Sequence, residues 1–377
     1  MTILTVYFCG TGVTKFEDSN KQYWQGELVS MLASNNLGRE FAEWIIIDGP
    51  GSGNLQQDEL WVKDGGYYNW TGVGFGKGWK ENVQHAIHII KGNFDWQREK
   101  LTEKQYNLLK KANIAIDDVE VSGSYFWRHY DYGNRKVSQQ QLQQQIIKMY
   151  RKGGVIPSQV NIVGWSRGGI SCHMLANAML EDELLKEIPV NIFAIDPVPG
   201  PLNFQNEKVS LGKNVKEYVA FYAKDERSKG FCCVIPKTDS ATIVRIFPMR
   251  GRHATLAGNA SLDSVSEGKV LYEPGLIVRH FAEVCLTRWG VKLDKKLELS
   301  DRDLLELHQS IAKNSDLYQD IQNYSYTQLT EKNGNERNVS YGDEGSQFSL
   351  IRGNQFLPES GLISDFLVDP LIYDGIK

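Results

Sequence analysis

The chain has 377 residues, 41% of them apolar and 23% charged, with a formal net charge of −4. That size and balance suit a globular protein of one large domain or two ordinary ones. The slightly acidic balance, without a Lys/Arg cluster, excludes a nucleic-acid binder, and no run of about 18 apolar residues is there to span a bilayer.

In chain order, residues 2–8 are a β-rich run that ends in the turn Cys9-Gly10-Thr11-Gly12. No basic region precedes this run, so a Sec signal peptide is not expected. Residues 21–33 read as a helix and 41–47, with three consecutive isoleucines, as a buried strand. A Gly- and aromatic-rich stretch fills 48–79. Helical periodicity returns at 80–91, with Val83, Ala86, Ile87 and Ile90 on one side. Residues 95–135 are polar and mixed, with one helical segment near 101–112. A Gln-rich amphipathic helix spans 138–152.

Strand-like runs follow at 160–163, 190–195, 215–222 and 241–247, each closed by a polar or Gly/Pro turn. Helical patterns occupy 170–180, 275–289 and 301–313, and residues 314–377 show no clear period. Strands alternating with helices predict an α/β protein with a mostly parallel sheet covered on both faces. Ligands of such sheets bind at the carboxyl ends of the strands. Five cysteines without a C-x-x-C spacing suggest buried thiols rather than a disulfide framework or a zinc site. No metal or other cofactor is expected.

Gly164-Trp165-Ser166-Arg167-Gly168 is a G-x-S-x-G between an apolar β-prone run and a helical stretch. A strand-turn-helix with serine at its tip is the setting of an activated nucleophile, because the strained turn presents the hydroxyl at a helix N-terminus. Serine needs a base. Of the histidines after Ser166, His173, His280 and His308 lie inside helical patterns, where packing is the default. His253 follows a strand through Pro248-Met249-Arg250-Gly251, at the carboxyl end of that strand, and is the predicted general base. Two aspartates suit the orienting acid, Asp196 after the strand at 190–195 and Asp225 after the strand at 215–222. Spacing does not separate them. The backbone N–H of Arg167 and the Thr11 and Gly12 turn are the expected oxyanion donors. Trp70, Phe75 and Trp79 in the aromatic-rich stretch either line an acyl-chain groove or pack inside. The apolar residues at 362–367 and 371–372 suggest a cap or a membrane-touching surface.

Seven motifs in order, over roughly residues 3–260, resemble one family. They are Phe8-Cys9-Gly10-Thr11; Ile47-Asp48-Gly49-Pro50-Gly51-Ser52-Gly53; the Gly-rich 74–78 opening a helix through Asn82 and Ala86; Gly164-Trp165-Ser166-Arg167-Gly168-Gly169; Ala194-Ile195-Asp196-Pro197-Val198; Asp225-Glu226-Arg227; and the Phe247-Pro248 to His253 run. The chain resembles the α/β-hydrolase domain family that includes the phospholipase effectors of bacterial type VI secretion systems. It departs from that pattern at Cys9 and Thr255, where the family has aspartates. The resemblance implies Ser166, Asp196 and His253 as nucleophile, acid and base, with Asp225 as the alternative acid. It implies phospholipase A-type cleavage of glycerophospholipid esters at a membrane surface, with a secretion-spike or adaptor protein and an immunity protein as partners. It also implies synthesis in the bacterial cytoplasm and delivery to a target cell. Residues 1–290 would be the α/β-hydrolase domain, with an insertion near 48–80, and 291–377 a C-terminal helical or irregular cap packed on it.

Overall fold

A computed structural model describes residues 2–50, 79–92, 101–102, 120–122, 129–131, 139–151, 153–200, 203–228, 230–324, 337–341 and 373–377. The strands are β1 (Ile3–Phe8), β2 (Trp44–Ile47), β3 (Leu101–Thr102), β4 (Glu120–Ser122), β5 (His129–Asp131), β6 (Gln159–Trp165), β7 (Val190–Ile195), β8 (Val215–Ala223), β9 (Cys233–Ile235), β10 (Ile243–Met249) and β11 (Val339–Tyr341). The helices are α1 (Leu28–Ser34), α2 (Trp79–Lys91), α3 (Gln139–Tyr150), α4 (Arg167–Glu181), α5 (Asn206–Val209), α6 (Glu273–Arg288), α7 (Asp301–Lys313) and α8 (Ser315–Asp320).

Six strands form one parallel sheet in the spatial order β10-β8-β7-β6-β1-β2. The protein is an α/β fold, as the alternating pattern predicts. Residues along each strand alternate between two cores. Leu4, Val6, Phe8 and Ile162 join Val83, Ile90 and Leu175 of α2 and α4 in the first. Tyr7, Val163, Phe193 and Phe221 join Leu32, Phe281 and Leu304 of α1, α6 and α7 in the second. Burial on both faces is why the strands read as nearly continuous apolar runs.

The chain builds β1 and β2 outward in one direction and then crosses to β6 on the other side of β1. The strand order therefore reverses between β1 and β6, and their carboxyl ends are level, with Phe8 paired to Gly164. A crevice at such a reversal is the expected ligand site of an open α/β sheet.

Two local expectations are corrected. Helix α1 begins at Leu28 rather than near residue 21. Gln25 (φ 62°) and Gly26 (φ 93°) take left-handed backbone conformations that stop a helix, and a side chain at Gly26 would collide with the Asp18 carbonyl. Glu27 then caps α1, its carboxylate accepting the Val29 and Ser30 N–H groups at 3.1 and 2.8 Å. Residues 101–102 form β3, antiparallel to β5, where a helix is expected. The rest of that segment lies outside the described residues.

The C-terminal part returns to the same cores. Tyr373 is buried with its ring 4.2 Å from Phe281 and 5.1 Å from Phe247. Strand β11 pairs in parallel with β9. All five cysteines are unbridged, and four are buried. Among the described residues no helix is long and apolar enough to cross a membrane, and no group of three or more His, Cys, Asp or Glu is placed to hold a metal.

Candidate active site

Ser166 lies between β6 and α4 with φ 61° and ψ −125°, a strained conformation for a residue with a side chain. Three backbone hydrogen bonds hold it there. Its N–H donates to the Ile195 carbonyl at 3.0 Å, and its carbonyl accepts from Val198 at 3.2 Å and Ile170 at 3.3 Å. The flanking glycines are required by close approach rather than by torsion. A Cβ on Gly164 would run into the Gly168 carbonyl, and one on Gly168 into the Phe8 carbonyl at the end of β1. The motif thus clamps β6, α4 and β1 together around the serine.

Asp196 directly follows β7 and is fully buried. Its Oδ1 accepts the Ala223 N–H at 3.0 Å, and its Oδ2 lies 2.6 Å from Nδ1 of His253. Burial pushes the Asp196 carboxyl up, but the Arg337 guanidinium and the His253 hydrogen bond outweigh it and hold the group below the usual carboxylate range. His253 stands in the loop after β10. Its ring packs against Trp165, the residue before Ser166, with centroids 5.2 Å apart, and the Trp165 indole N–H donates to the His253 carbonyl at 3.3 Å. Ser166, Asp196 and His253 therefore converge at the carboxyl end of the sheet. Ser166 is 6% and His253 4% exposed; Asp196 and His253 are in direct contact, and Ser166 adjoins them through its neighbour Trp165 and its bond to Ile195.

Asp225 is placed differently. Its Oδ2 accepts from Arg250 Nε at 2.8 Å and from the Gly251 N–H at 2.7 Å, and its Oδ1 accepts from Gln322 at 2.8 Å. Two of the three donors, Arg250 and Gly251, lie in the loop that leads to His253, and the carboxylate is not on the imidazole.

The other histidines take the packing places that their helices imply. His173 is buried, with Nδ1 2.7 Å from the Lys208 carbonyl and Nε2 3.2 Å from the Tyr218 hydroxyl, and burial lowers its pKa to about 4. His280 accepts the Leu299 N–H, and the His308 ring stacks on Tyr373.

The candidate oxyanion residues are joined by a side chain. Arg167 Nη1 donates to Thr11 Oγ1 at 3.0 Å and ties α4 to the turn after β1. The Gly12 N–H donates to the Pro50 carbonyl at 3.1 Å. That bond closes the β1 turn on the segment after β2. Trp79 is 3% exposed and packs inside at the start of α2, with Lys208 Nζ 4.6 Å and the Arg167 guanidinium 5.8 Å from its ring. Trp70, Phe75 and residues 362–367 and 371–372 lie outside the described residues.

Four participants escape the sequence reading. Arg337 contacts both carboxylate oxygens of Asp196, at 3.1 and 3.0 Å. Phe231 sets its ring edge-on to His253 at 5.0 Å. Glu226 accepts the His253 N–H at 3.2 Å. Trp165 forms one wall. Only Glu226 and Trp165 had a signal, as members of Asp225-Glu226-Arg227 and of the serine motif.

No protein-family model and no curated protein matches this chain. Among solved structures it is similar to an uncharacterized protein from Pseudomonas aeruginosa, with 13% identity and a TM-score of 0.44, over 85% of this chain and 52% of that one. It is also distantly similar to the Tle1 effector bound to the VgrG spike from the type 6 secretion system, with 11% identity and a TM-score of 0.32, over 68% of this chain and 50% of that one. The chain spans about half the length of both.

Proposed function

We propose that the protein is a serine ester hydrolase with Ser166 as nucleophile, His253 as general base and Asp196 as orienting acid. The observation that carries this reading is the 2.6 Å Asp196–His253 contact beside a serine held at φ 61° at the switch point of the sheet. The Asp196 carboxylate accepts a hydrogen bond and so keeps the imidazole proton on Nδ1, which leaves Nε2 as the basic nitrogen. His253 takes the Ser166 proton as Oγ bonds to the ester carbonyl carbon. The oxyanion is stabilised by the backbone N–H groups of Arg167 and Thr11. His253 then protonates the leaving alcohol oxygen as the C–O bond breaks. Water attacks the acyl-enzyme with His253 again as base, releasing the carboxylic acid and restoring Ser166.

The substrate class in this proposal is a glycerophospholipid, cut as a phospholipase A cuts it, and the seven family-like motifs support it. The same motifs support a secreted effector that acts at a membrane surface, travels with a spike or adaptor protein and is countered by an immunity protein. In this reading residues 1–290 are the α/β-hydrolase domain and 291–377 an extension on it. Tyr373 in the core and β11 on β9 support that arrangement.

A fluorophosphonate probe and product analysis on dispersed glycerophospholipid test the proposal. Wild type is expected to be labelled and to release fatty acid and lysophospholipid, and Ser166→Ala to do neither. Labelling that persists in Ser166→Ala removes Ser166 as nucleophile. Turnover of short p-nitrophenyl esters without any lipid cleavage removes the phospholipase assignment and leaves a general esterase.

A further inference from the structure

Asp196 makes an ion pair that a triad of this kind does not need. The orienting role itself calls only for a hydrogen bond to the histidine Nδ1–H. Here Arg337 Nη2 lies 3.0 Å from Oδ2 and 3.1 Å from Oδ1, and both side chains are buried. Arg337 comes from far along the chain, 141 residues after Asp196. Its backbone is fixed locally. The Asn338 carbonyl accepts the Cys233 N–H at 3.2 Å, β11 pairs with β9, and the Val234 N–H donates to the Pro197 carbonyl at 2.9 Å. Arg337 Nη1 also donates to the carbonyl of Phe231, whose ring is set edge-on against His253. One guanidinium thus reaches both the acid and the residue that walls the base.

We infer that Arg337 is a positioning residue of the hydrolytic site, fixing the Asp196 carboxylate against His253 and making the 337–341 segment part of the catalytic unit. This rests on the Ser166–His253–Asp196 reading. The physical reason is the burial of Asp196. A carboxylate without solvent favours its neutral form, and a protonated Asp196 cannot support the imidazolium that forms when His253 takes the serine proton. A cation held on the far side of the carboxylate keeps it charged and fixes the plane of its oxygens. The same cation offsets part of the negative charge that His253 feels. The other ionisable groups around the pair are Glu226 with Arg252, Cys232, Cys233 and Tyr222.

The test uses the full chain with Arg337→Ala and Arg337→Lys, read by kcat and KM on a soluble p-nitrophenyl ester and by the pH profile. It adds rescue by guanidinium ion and the low-field proton resonance of His253 Nδ1–H in a Ser166→Ala background. Arg337→Ala is expected to lower kcat about 10- to 100-fold, as small misplacements of catalytic groups do, with KM nearly unchanged. The acid limb of its profile should move to higher pH, because the carboxylate then faces the imidazolium without its counter-charge. Guanidinium should restore part of the rate to Arg337→Ala but not to Asp196→Asn/Arg337→Ala. The low-field resonance should broaden or vanish.

A folded Arg337→Ala variant with wild-type kcat, acid limb and proton resonance overturns the inference, as does a rate loss that neither lysine nor guanidinium relieves. Should Arg337→Ala fail to fold, Arg337→Gln, which keeps much of the side-chain length without the charge, takes its place. A reduced kcat at unchanged KM supports the inference, and wild-type kcat with an unmoved acid limb overturns it. A wild type that no fluorophosphonate labels fails the hydrolase reading and this inference with it. A labelled wild type beside an equally fast Arg337→Ala fails only the inference.

Discussion

Asp196 and Asp225 follow adjacent parallel strands, β7 and β8, and both are buried carboxylates at the carboxyl end of the same sheet. Asp196 is met by an imidazole, a guanidinium and one backbone N–H. Asp225 is met by Arg250, Gln322 and the Gly251 N–H. The first set contains a group that can take and return a proton, and the second contains only fixed donors. Position on the sheet makes both available for chemistry, and in the proposed mechanism the partner decides which one is used. The two also cooperate, because Asp225 pins residues 250–251, two positions before the histidine that Asp196 orients.

The comparison breaks most visibly in a pair of variants. Asp196→Asn is expected to lower kcat/KM about 10⁴-fold, the scale for losing the orienting acid of a triad. Asp225→Ala should instead lower stability by about 3 kcal/mol or more, the scale for breaking a buried ion pair, while its folded fraction stays active. Esterase kinetics beside thermal melts check this, and an inactive but stable Asp225→Ala would exchange the two roles.

A contrast of the same kind separates His253 from His173. A fall from 6.5 to about 4 for buried His173 corresponds to about 3 kcal/mol of stability. Its folded pKa is depressed, so this stability is present above pH 6.5 and is lost as pH falls through 4. Melting temperatures between pH 7 and 4 should drop less steeply in His173→Gln than in wild type. Asp196 is also depressed, so its contribution is present above pH 3.8 and is lost on further acidification. The gap in melting temperature between wild type and Asp196→Asn should therefore close as pH falls below about 3.8. The smallest effect expected is from Gln322→Ala, which removes one donor from Asp225 and should cost about 1 kcal/mol without changing kcat.

Much of the frame was legible because parallel strands buried on both faces announce themselves as apolar runs. Val190–Ile195 and Asp301–Lys313 appear with the bounds that the sequence pattern suggests. The serine turn was legible because close packing of Gly164 and Gly168 leaves a fixed spacing. Spacing did not separate the two aspartates, because it reports that a carboxylate stands at a strand end and not which loop residue faces it; only the family resemblance favoured Asp196. That choice depends on the course of 250–253, where Gly251 binds Asp225 and His253 turns to Asp196. The Gly12 N–H bond to Pro50 had no signal, because a turn glycine looks the same whether its N–H points to a ligand or to a carbonyl. Arg337 had no local signal, since it follows a stretch without periodicity and acts through one long side chain. The start of α1 was misplaced by seven residues of polar and aromatic sequence in which only Gly26 hinted at the break.

The β1–β6 pairing also sets when this protein can exist. The contact of Arg167 with Thr11 spans 156 residues, and that of Arg337 with Asp196 another 141. A chain emerging from the ribosome holds β1 without its central neighbour until the residues through Trp165 have followed, and closing loops of that length makes folding slow. The turn at Ser166 cannot be clamped before then, and Asp196 gains its counter-charge only once the chain has run 141 residues past it. Assembly of the site is thus a late event in the life of each molecule, and partial chains carry its residues without its geometry.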